Sequence, residues 1–202
     1  MLVLGTTNRK KGQELARLLA PAGVDVQTLA DFPSTVDVVE DGTTFAENAA
    51  KKATEQARQL GLWVLGEDSG LTVDALDGQP GIYSARFSGP GATDAHNNRL
   101  LLERLAGVAP EQRTAAYVCH MVLADGSGVV QAESCGSCRG RILEHPQGAS
   151  GFGYDPLFEI PEYHRSFGQL GPVVKAVLSH RARAARLLLP KLIALVDSGA
   201  IE

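Results

Sequence analysis

The residues best suited to binding a polyanion are the cations at the start of a predicted helix. Arg9, Lys10 and Lys11 directly follow Thr6-Thr7-Asn8, so three positive charges fall in one helical turn. The helix dipole makes this the unfavourable end for cations, unless an anion binds there and is shared by the lysines and free backbone N–H groups. A solvated basic turn is the alternative. The glycine and lysine spacing of a Walker P-loop is absent.

A second cationic set comprises Lys175 and the run Ser179-His180-Arg181, which we also place at the start of a helix. Two such arrangements in one acidic chain favour anion binding over coincidence. Lys175 and His180 are separated by a short turn, so both could face one cleft. A lone histidine is more often structural.

Two acidic pairs, Glu40-Asp41 and Glu67-Asp68, each stand beside a glycine. The second pair is predicted at the end of a strand, a usual place for a hard cation. Magnesium prefers oxygen ligands and is typically held by one or two carboxylates together with substrate phosphates. The alternative is a polar turn through Asp68, Ser69 and Gly70. We take Asp68 as the centre of the predicted chemistry.

A glycine-rich segment with aromatic residues, Gly151-Phe152-Gly153-Tyr154-Asp155-Pro156, is the third candidate. Its glycines permit close backbone approach, and its aromatics and carboxylate could offer a flat base a stacking face and an acceptor. A tight turn over a small core would have the same composition.

The elements around these residues alternate strand and helix near the N-terminus, which predicts an α/β fold. We expect strands at residues 2–5, 24–29, 63–65 and 71–75, and helices at 44–60 and 94–105. Thr44 and Glu47 match a capping box. Strands at 114–124 and 129–133 flank Asp125-Gly126, a hairpin signal. Residues 140–143 extend that sheet, and Ser179 opens a last helix that Pro190 kinks or ends.

The overall composition limits the function classes. The 202 residues carry a net charge of -4 and a pI near 5.7, which disfavours a general nucleic-acid binder. No signal peptide or membrane span is predicted, so the expected location is the cytoplasm. Cys119, Cys135 and Cys138 fit a reduced compartment, and Cys135 with Cys138 lacks the second ligand pair that a zinc site needs.

Six motifs in order resemble the Ham1-like inosine/xanthosine triphosphate pyrophosphatases, and together they span nearly the whole chain. They are Thr6-Thr7-Asn8-Arg9-Lys10-Lys11, Thr44-Phe45-Ala46-Glu47-Asn48-Ala49, Glu67-Asp68-Ser69-Gly70-Leu71, Pro80-Gly81-Ile82-Tyr83-Ser84-Ala85-Arg86, Phe152-Gly153-Tyr154-Asp155 and Ser179-His180-Arg181.

The resemblance implies one bilobed domain over residues 1–202, with an elongated mixed β-sheet flanked by helices and a nucleotide cleft between two lobes. It also implies a magnesium-dependent homodimer that converts dITP, ITP and XTP to the monophosphate and pyrophosphate. Asp68 is then the proton acceptor and a metal ligand, and Glu40 is the second metal carboxylate. The implied substrate contacts are Thr6, Thr7, Asn8, Arg9, Lys10, Lys11, Ser69, Phe152, Gly153, Tyr154, Asp155, Lys175, His180 and Arg181.

Three other interpretations stay open at this stage. A pyrophosphatase of the Maf type also removes unwanted nucleotides, but Ser179-His180-Arg181 and the Phe152 segment favour the Ham1 interpretation. A regulator that senses purine triphosphates without cleaving them would not need a second carboxylate for a metal. The third is an α/β domain with basic surface features only.

Overall fold

The computed structural model describes residues 1–33 and 35–201. Its strands are β1 (Leu2–Leu4), β2 (Val26–Thr28), β3 (Trp63–Val73), β4 (Thr114–Ala124), β5 (Val130–Ile142), β6 (Phe158–Ile160) and β7 (Arg165–Ser166). Its α-helices are α1 (Arg9–Leu19), α2 (Phe45–Leu60), α3 (Asp94–Arg104), α4 (Phe167–Leu178) and α5 (His180–Asp197).

The seven strands form one mixed sheet in the order β2-β1-β3-β4-β5-β6-β7. Strand β1 pairs in parallel with both β2 and β3, with Leu2 opposite Val26 and Trp63. Strands β5, β6 and β7 pair antiparallel. The predicted mixed α/β sheet with flanking helices is confirmed.

The chain divides into two compact units. Unit 1 comprises Met1–Asp68, Cys119–Gly136 and the residues from 181 onward. In this unit Leu4, Leu15 and Leu188 belong to one core cluster, and Val3, Ala53 and Val64 belong to another. Leu2 and Leu4 alternate with Val3 along β1, so the strand is buried on both faces, as expected of a parallel strand.

Unit 2 comprises Ser69–Val118 and Ser137–His180. Its core is rich in aromatic residues: Tyr117, Phe158 and Phe167 pack with Leu71 and Leu101. The prediction of two lobes with a nucleotide cleft between them stays a prediction.

The largest correction concerns β3, which we expected as two short strands separated by an acidic strand end. It runs unbroken from Trp63 to Val73, and Glu67 and Asp68 lie buried in its middle. The polar-turn alternative at Asp68 is therefore also wrong. Charged residues interrupt the apolar pattern, but a strand tolerates them when cations from other elements pair with them.

The C-terminal region differs from expectation in two places. Helix α4 was not predicted, because Gly171 and Pro172 break its pattern; Gly171 has φ 76° and lies at a kink within it. Helix α5 continues past Pro190 to Asp197, so the proline does not end it. Leu188 and Leu192 are fully buried on either side of the proline, which keeps the helix packed on the core.

The hairpin of β4 and β5 is confirmed, and β5 extends through the residues expected as a separate strand. Cys135 is exposed on β5 and Cys138 is buried, as the odd spacing along a strand requires. Within the described residues, no helix combines the length and apolarity required to cross a membrane.

Candidate active site

The loop between β1 and α1 is held together by its own side chains. Asn8 caps the helix, and its Oδ1 accepts hydrogen bonds from the backbone N–H groups of Lys10 and Lys11 at 3.0 and 3.2 Å. Thr6 Oγ1 accepts from the N–H of Asn8 at 3.1 Å. The first turn contains no acidic residue. Thr7 and Asn8 are exposed with Arg9 and Lys10, so the turn presents positive charge to solvent at the positive end of the dipole.

Lys11, the third cation of that turn, points toward β3 of the same unit. Its Nζ donates to Glu67 Oε2 at 3.1 Å. Arg181 Nη2 donates to Glu67 Oε1 at 2.9 Å, and Arg181 Nη1 donates to Glu14. Glu67 is 3% exposed and Arg181 is 1% exposed. Glu67 is thus a buried counter-charge that joins the basic turn to the first turn of α5.

Cys119 lies beside this cluster. Its Sγ is 3.4 Å from Glu67 Oε1, and burial together with this carboxylate raises the pKa of the Cys119 thiol well above its usual value. The thiol therefore remains protonated and acts as a small apolar side chain.

Asp68 meets a cation that the sequence did not reveal as functional. Lys52 Nζ donates to Asp68 Oδ1 at 2.8 Å and lies 2.9 Å from Glu40 Oε2. Asn48 Nδ2 lies 3.4 Å from the other oxygen of Asp68. The two carboxylates predicted to hold a metal therefore converge on one positive charge.

The pKa values of this pair reflect the crowding of charges. Burial raises the pKa of Asp68, which outweighs the lowering by Lys52 and Lys11, and the neighbouring Glu40 carboxylate raises it further. At Lys52 burial lowers the pKa, but attraction to Asp68 and the bonds to both carboxylates outweigh it, so the pKa is raised. The two carboxylates therefore keep Lys52 charged, whereas burial makes Asp68 accept a proton more readily than an ordinary aspartate.

Gly66 determines how closely α2 approaches this part of β3. A Cβ at position 66 would lie 2.3 Å from the carbonyl oxygen of Ala49 and 2.6 Å from the amide nitrogen of Ala53. Asn48 and Lys52 precede these two alanines in sequence and are four residues apart, so they share one face of α2. The glycine thus allows both polar side chains to reach Asp68.

In the capping box predicted for α2, the Glu47 side chain bonds one residue farther back than expected. Thr44 Oγ1 accepts from the N–H of Glu47 at 3.1 Å, but the Glu47 carboxylate accepts from the N–H of Thr43 at 2.7 Å. Glu47 is therefore occupied with helix capping, as the sequence indicated.

In unit 2 the Gly151–Pro156 segment folds around the Asp155 carboxylate. Asp155 Oδ2 accepts from the backbone N–H of Phe152 at 2.9 Å and from Lys175 Nζ at 2.6 Å. Lys175 Nζ also lies 4.3 Å from the centroid of the Phe152 ring, a cation–π arrangement. Gly151 has φ 84°, and a Cβ there would lie 2.0 Å from Asp155 Oδ2. Only glycine permits this loop.

The remaining residues of the segment anchor it. Gly153 N–H donates to Asp94 Oδ2 at 2.8 Å, and the Tyr154 hydroxyl donates to the carbonyl oxygen of Ser84 at 2.8 Å. Burial raises the pKa of Tyr154. The Tyr154 hydroxyl is therefore committed to positioning the loop.

Lys175 corrects our prediction of a cation at the start of a helix. It lies in the last turn of α4, where the helix dipole favours a cation. Ser179 ends α4, with its N–H bonded to the carbonyl oxygen of Lys175 at 3.0 Å, and His180 and Arg181 do begin α5. His180 is 3% exposed and stacks on Tyr117, with ring centroids 4.7 Å apart.

The structure thus forms two groups from the predicted residues. In unit 1 it brings together Lys11, Glu40, Asp68 and Arg181, and in unit 2 Phe152, Asp155 and Lys175. Ser69 is half-buried in β3 next to Asp68. Sequence reasoning missed Lys52, although a lysine among the buried alanines of α2 was a signal for it. It also assigned no role to Glu67.

The carboxylates fit a magnesium ion, although the described part of the chain contains no group of three or more histidine, cysteine, aspartate or glutamate residues arranged to hold a metal. Magnesium needs only one or two carboxylates when substrate phosphates and water complete its shell. Glu40 and Asp68 already direct oxygens at a cation, the Lys52 ammonium.

Comparison with known proteins identifies the family. The Ham1 family profile matches residues 2–191. The chain belongs to the Ham1 family. A dITP/XTP pyrophosphatase of Rhodopirellula baltica is 53% identical over 98% of this chain and 95% of its own length. A second relative, the dITP/XTP pyrophosphatase of an Exiguobacterium species, is 50% identical over 93% of this chain and 94% of its own length. A solved HAM1 protein from Coxiella burnetii is similar with a TM-score of 0.87 and 35% identity, covering 96% of this chain and 98% of that one.

Proposed function

We propose that this chain hydrolyses the non-canonical purine nucleoside triphosphates dITP, ITP and XTP to the monophosphate and pyrophosphate. The observation that carries the proposal is the convergence of Asp68 and Glu40 on Lys52, with Lys11 beside them at the adjacent Glu67. This arrangement pairs a buried carboxylate with the cations that a triphosphate requires. The relatives named dITP/XTP pyrophosphatase support the same activity.

Magnesium is the proposed cofactor. Glu40 and Asp68 would hold it, and it would supply neutralisation of the phosphate charge. Lys52 provides a second positive charge at the same carboxylates and a hydrogen-bond donor within reach of them.

Asp68 is the proposed proton acceptor for the attacking water. Burial raises its pKa, which makes it a better base than an exposed aspartate. Lys11, with the exposed Arg9 and Lys10 of the same turn, would hold the outer phosphates through side-chain charge and the helix dipole, and these phosphates leave as pyrophosphate. In phosphoryl transfer positioning and electrostatics dominate, so these residues act mainly through their charge and placement.

The unit 2 residues are the proposed contacts of the base. The Phe152 ring offers a stacking face, and Lys175 and His180 are donors. Hypoxanthine and xanthine present a carbonyl at position 6, where adenine presents an amino donor. A buried donor facing that amino group loses its hydrogen bond, at a cost of about 1–3 kcal/mol.

Arg181 is also among the substrate contacts that the family resemblance implies. Its guanidinium is buried against Glu14 and Glu67, so any contact with the base is made by a side chain already held by two carboxylates. A homodimer, which the family resemblance implies, and a cytoplasmic location are further parts of the proposal.

One assay tests the proposal. The protein is incubated with dITP, XTP, ATP and GTP, with and without magnesium, and pyrophosphate is separated from orthophosphate. We expect pyrophosphate from dITP and XTP only in the presence of the metal. The Asp68→Asn variant, purified in the same way, serves as the control for contaminating activity. Release of orthophosphate alone, or binding of nucleotide without cleavage, would refute the proposal.

A further inference from the structure

The aromatic ring of Tyr117 lies parallel to the imidazole of His180. Their centroids are 4.7 Å apart and their planes differ by 11°. Tyr117 belongs to β4, at the centre of the sheet, whereas His180 is the first residue of α5. Both side chains are buried. A parallel stack of this kind fixes the plane of the smaller ring, because tilting it loses contact with the larger one.

The Tyr117 ring is itself held by two other aromatic residues. The Phe158 centroid lies 4.6 Å away and the Phe167 centroid 6.4 Å away. Phe158 and Phe167 stack on each other at 5.6 Å. Because such a core is close-packed, the Tyr117 ring is held in one orientation. The imidazole of His180, which stacks on it, is therefore held in a parallel plane.

The Tyr117 hydroxyl contributes less than the ring. It reaches Asp155 Oδ1 at 3.5 Å, the outer limit of a hydrogen bond. The other oxygen of Asp155 binds Lys175 and the Phe152 backbone at short distances, so the carboxylate is held without the hydroxyl.

We propose that Tyr117 is a positioning residue for base recognition. Its ring fixes the plane in which His180 presents its hydrogen-bonding nitrogens. The proposal rests on the proposed function, which assigns His180 to the base. Imidazole nitrogens donate and accept in the plane of the ring, so a rotated imidazole no longer meets the edge of a base. Loss of the Tyr117 ring therefore weakens the preference for a 6-keto purine over adenine without removing any group that touches the phosphates.

The experiment compares Tyr117→Phe, which keeps the ring, with Tyr117→Leu and Tyr117→Met, which remove it. Leu105→Ala is the matched control, since it removes a buried side chain from the same core cluster without removing an aromatic ring. For each folded protein we measure kcat and KM for dITP and dATP, and the Kd of IMP and AMP by calorimetry. Thermal unfolding confirms that each variant is folded.

We expect Tyr117→Phe and Leu105→Ala to keep the wild-type ratio of kcat/KM for dITP over dATP within about three-fold. The ring-less variants should lose roughly ten-fold of that ratio, mainly through KM for dITP, as expected for one lost hydrogen bond. The Kd for AMP divided by the Kd for IMP should fall in parallel. The flexible methionine side chain can fill the space left by the ring, so Tyr117→Met serves as the ring-less protein if the leucine variant does not fold.

A wild-type ratio in the ring-less variants, or an equal loss in Leu105→Ala, overturns the proposal. Failure of the proposed function has a separate signature, namely no release of pyrophosphate from dITP by the wild-type protein. In that case the Kd ratios still decide the role of Tyr117: a preference for IMP that the ring-less variants lose supports it, and a wild type without any preference overturns it.

Discussion

Lys52 Nζ lies 2.8 Å from Asp68 Oδ1, and the same ammonium lies 2.9 Å from Glu40. The lysine comes from α2 and the aspartate from the middle of β3. A carboxylate pair this close would repel without a cation at its centre. Lys52 therefore stabilises the arrangement of the two carboxylates that we propose as metal ligands, and in the proposed reaction it adds a positive charge for the phosphates.

Replacing Lys52 tests its importance to turnover. We expect Lys52→Met to lower kcat for dITP by roughly a hundred-fold or more, because a preorganised charge at the reacting group is lost. The matched control is Lys51→Met, which removes the neighbouring lysine and its surface ion pair with Asp41. Surface pairs contribute at most about 1 kcal/mol, so this control should stay close to wild type. Similar kinetics in the two variants would contradict the role of Lys52.

Asp68→Asn separates catalysis from binding. Removing the proton acceptor should lower kcat by roughly a hundred-fold or more, while dITP binding, measured by calorimetry, changes little. Near-normal turnover in this variant would remove Asp68 from the chemistry.

Glu40→Gln tests the second metal carboxylate. If Glu40 shares the metal with Asp68, the magnesium concentration for half-maximal activity should rise by roughly ten-fold, because the site loses one of two anionic ligands. Asp41→Asn is the control, since Asp41 is exposed and pairs with Lys51. An unchanged magnesium requirement in Glu40→Gln excludes Glu40 as a ligand.

The two glutamates that bind Arg181 should differ in their effect on stability. Glu67 is buried between Arg181 and Lys11, so Glu67→Gln should lower the free energy of unfolding by about 3 kcal/mol. The side chain of Glu14 is 27% exposed, and Glu14→Gln should cost roughly 1 kcal/mol. Urea denaturation at neutral pH measures both losses. A loss for Glu14→Gln equal to or larger than that for Glu67→Gln would show that Glu67 is not the central counter-charge.

Gly66 provides a test of how α2 is positioned. Gly66→Ala should lower the free energy of unfolding by about 3 kcal/mol or more, since the added methyl group meets the backbone of Ala49 and Ala53. Activity should fall with it, because α2 carries Lys52 away from Asp68. The control, Gly61→Ala, falls at the C-cap of α2, where φ is 66° and the space is open, so only about 1 kcal/mol is expected. Full activity in a folded Gly66→Ala protein would show that the close approach of α2 to β3 at Gly66 is not needed for the candidate site.

The thiols should react in a defined order with Ellman's reagent. Cys135 is exposed and should react in the native protein, although partial burial raises its pKa and slows the reaction. Cys119 and Cys138 are buried and should react only after unfolding. Cys135→Ser should abolish the native signal. Fast reaction of a second thiol in the native state would contradict the buried positions.

Much of the fold could be predicted because local signals agreed with it. The capping box at Thr44 locates the start of α2, and the Asp125-Gly126 turn locates the hairpin. These signals depend on residues a few positions apart, which a sequence displays directly. The unbroken β3 could not be predicted, because the cations that pair with Glu67 and Asp68 come from positions 11, 52 and 181.

The candidate site was predictable in its residue types and less so in its contacts. The Phe152–Asp155 segment and Asp68 were recognised from their motifs, and the structure gives both a dense set of partners. Lys175 was placed at the wrong end of a helix, since Gly171-Pro172 concealed α4. Tyr117 lies in no motif, and only the packing of β4 against the start of α5 reveals its stack on His180.

The Asn8 cap has a kinetic consequence. Its side chain already accepts hydrogen bonds from two backbone N–H groups of α1, and Thr6 Oγ1 accepts one from the backbone N–H of Asn8. The loop therefore has its shape before any ligand binds. A binding loop that is ordered beforehand loses little conformational entropy when it captures an anion. We therefore expect association with nucleotide to be governed by diffusion and electrostatic attraction, with a rate that falls as ionic strength rises.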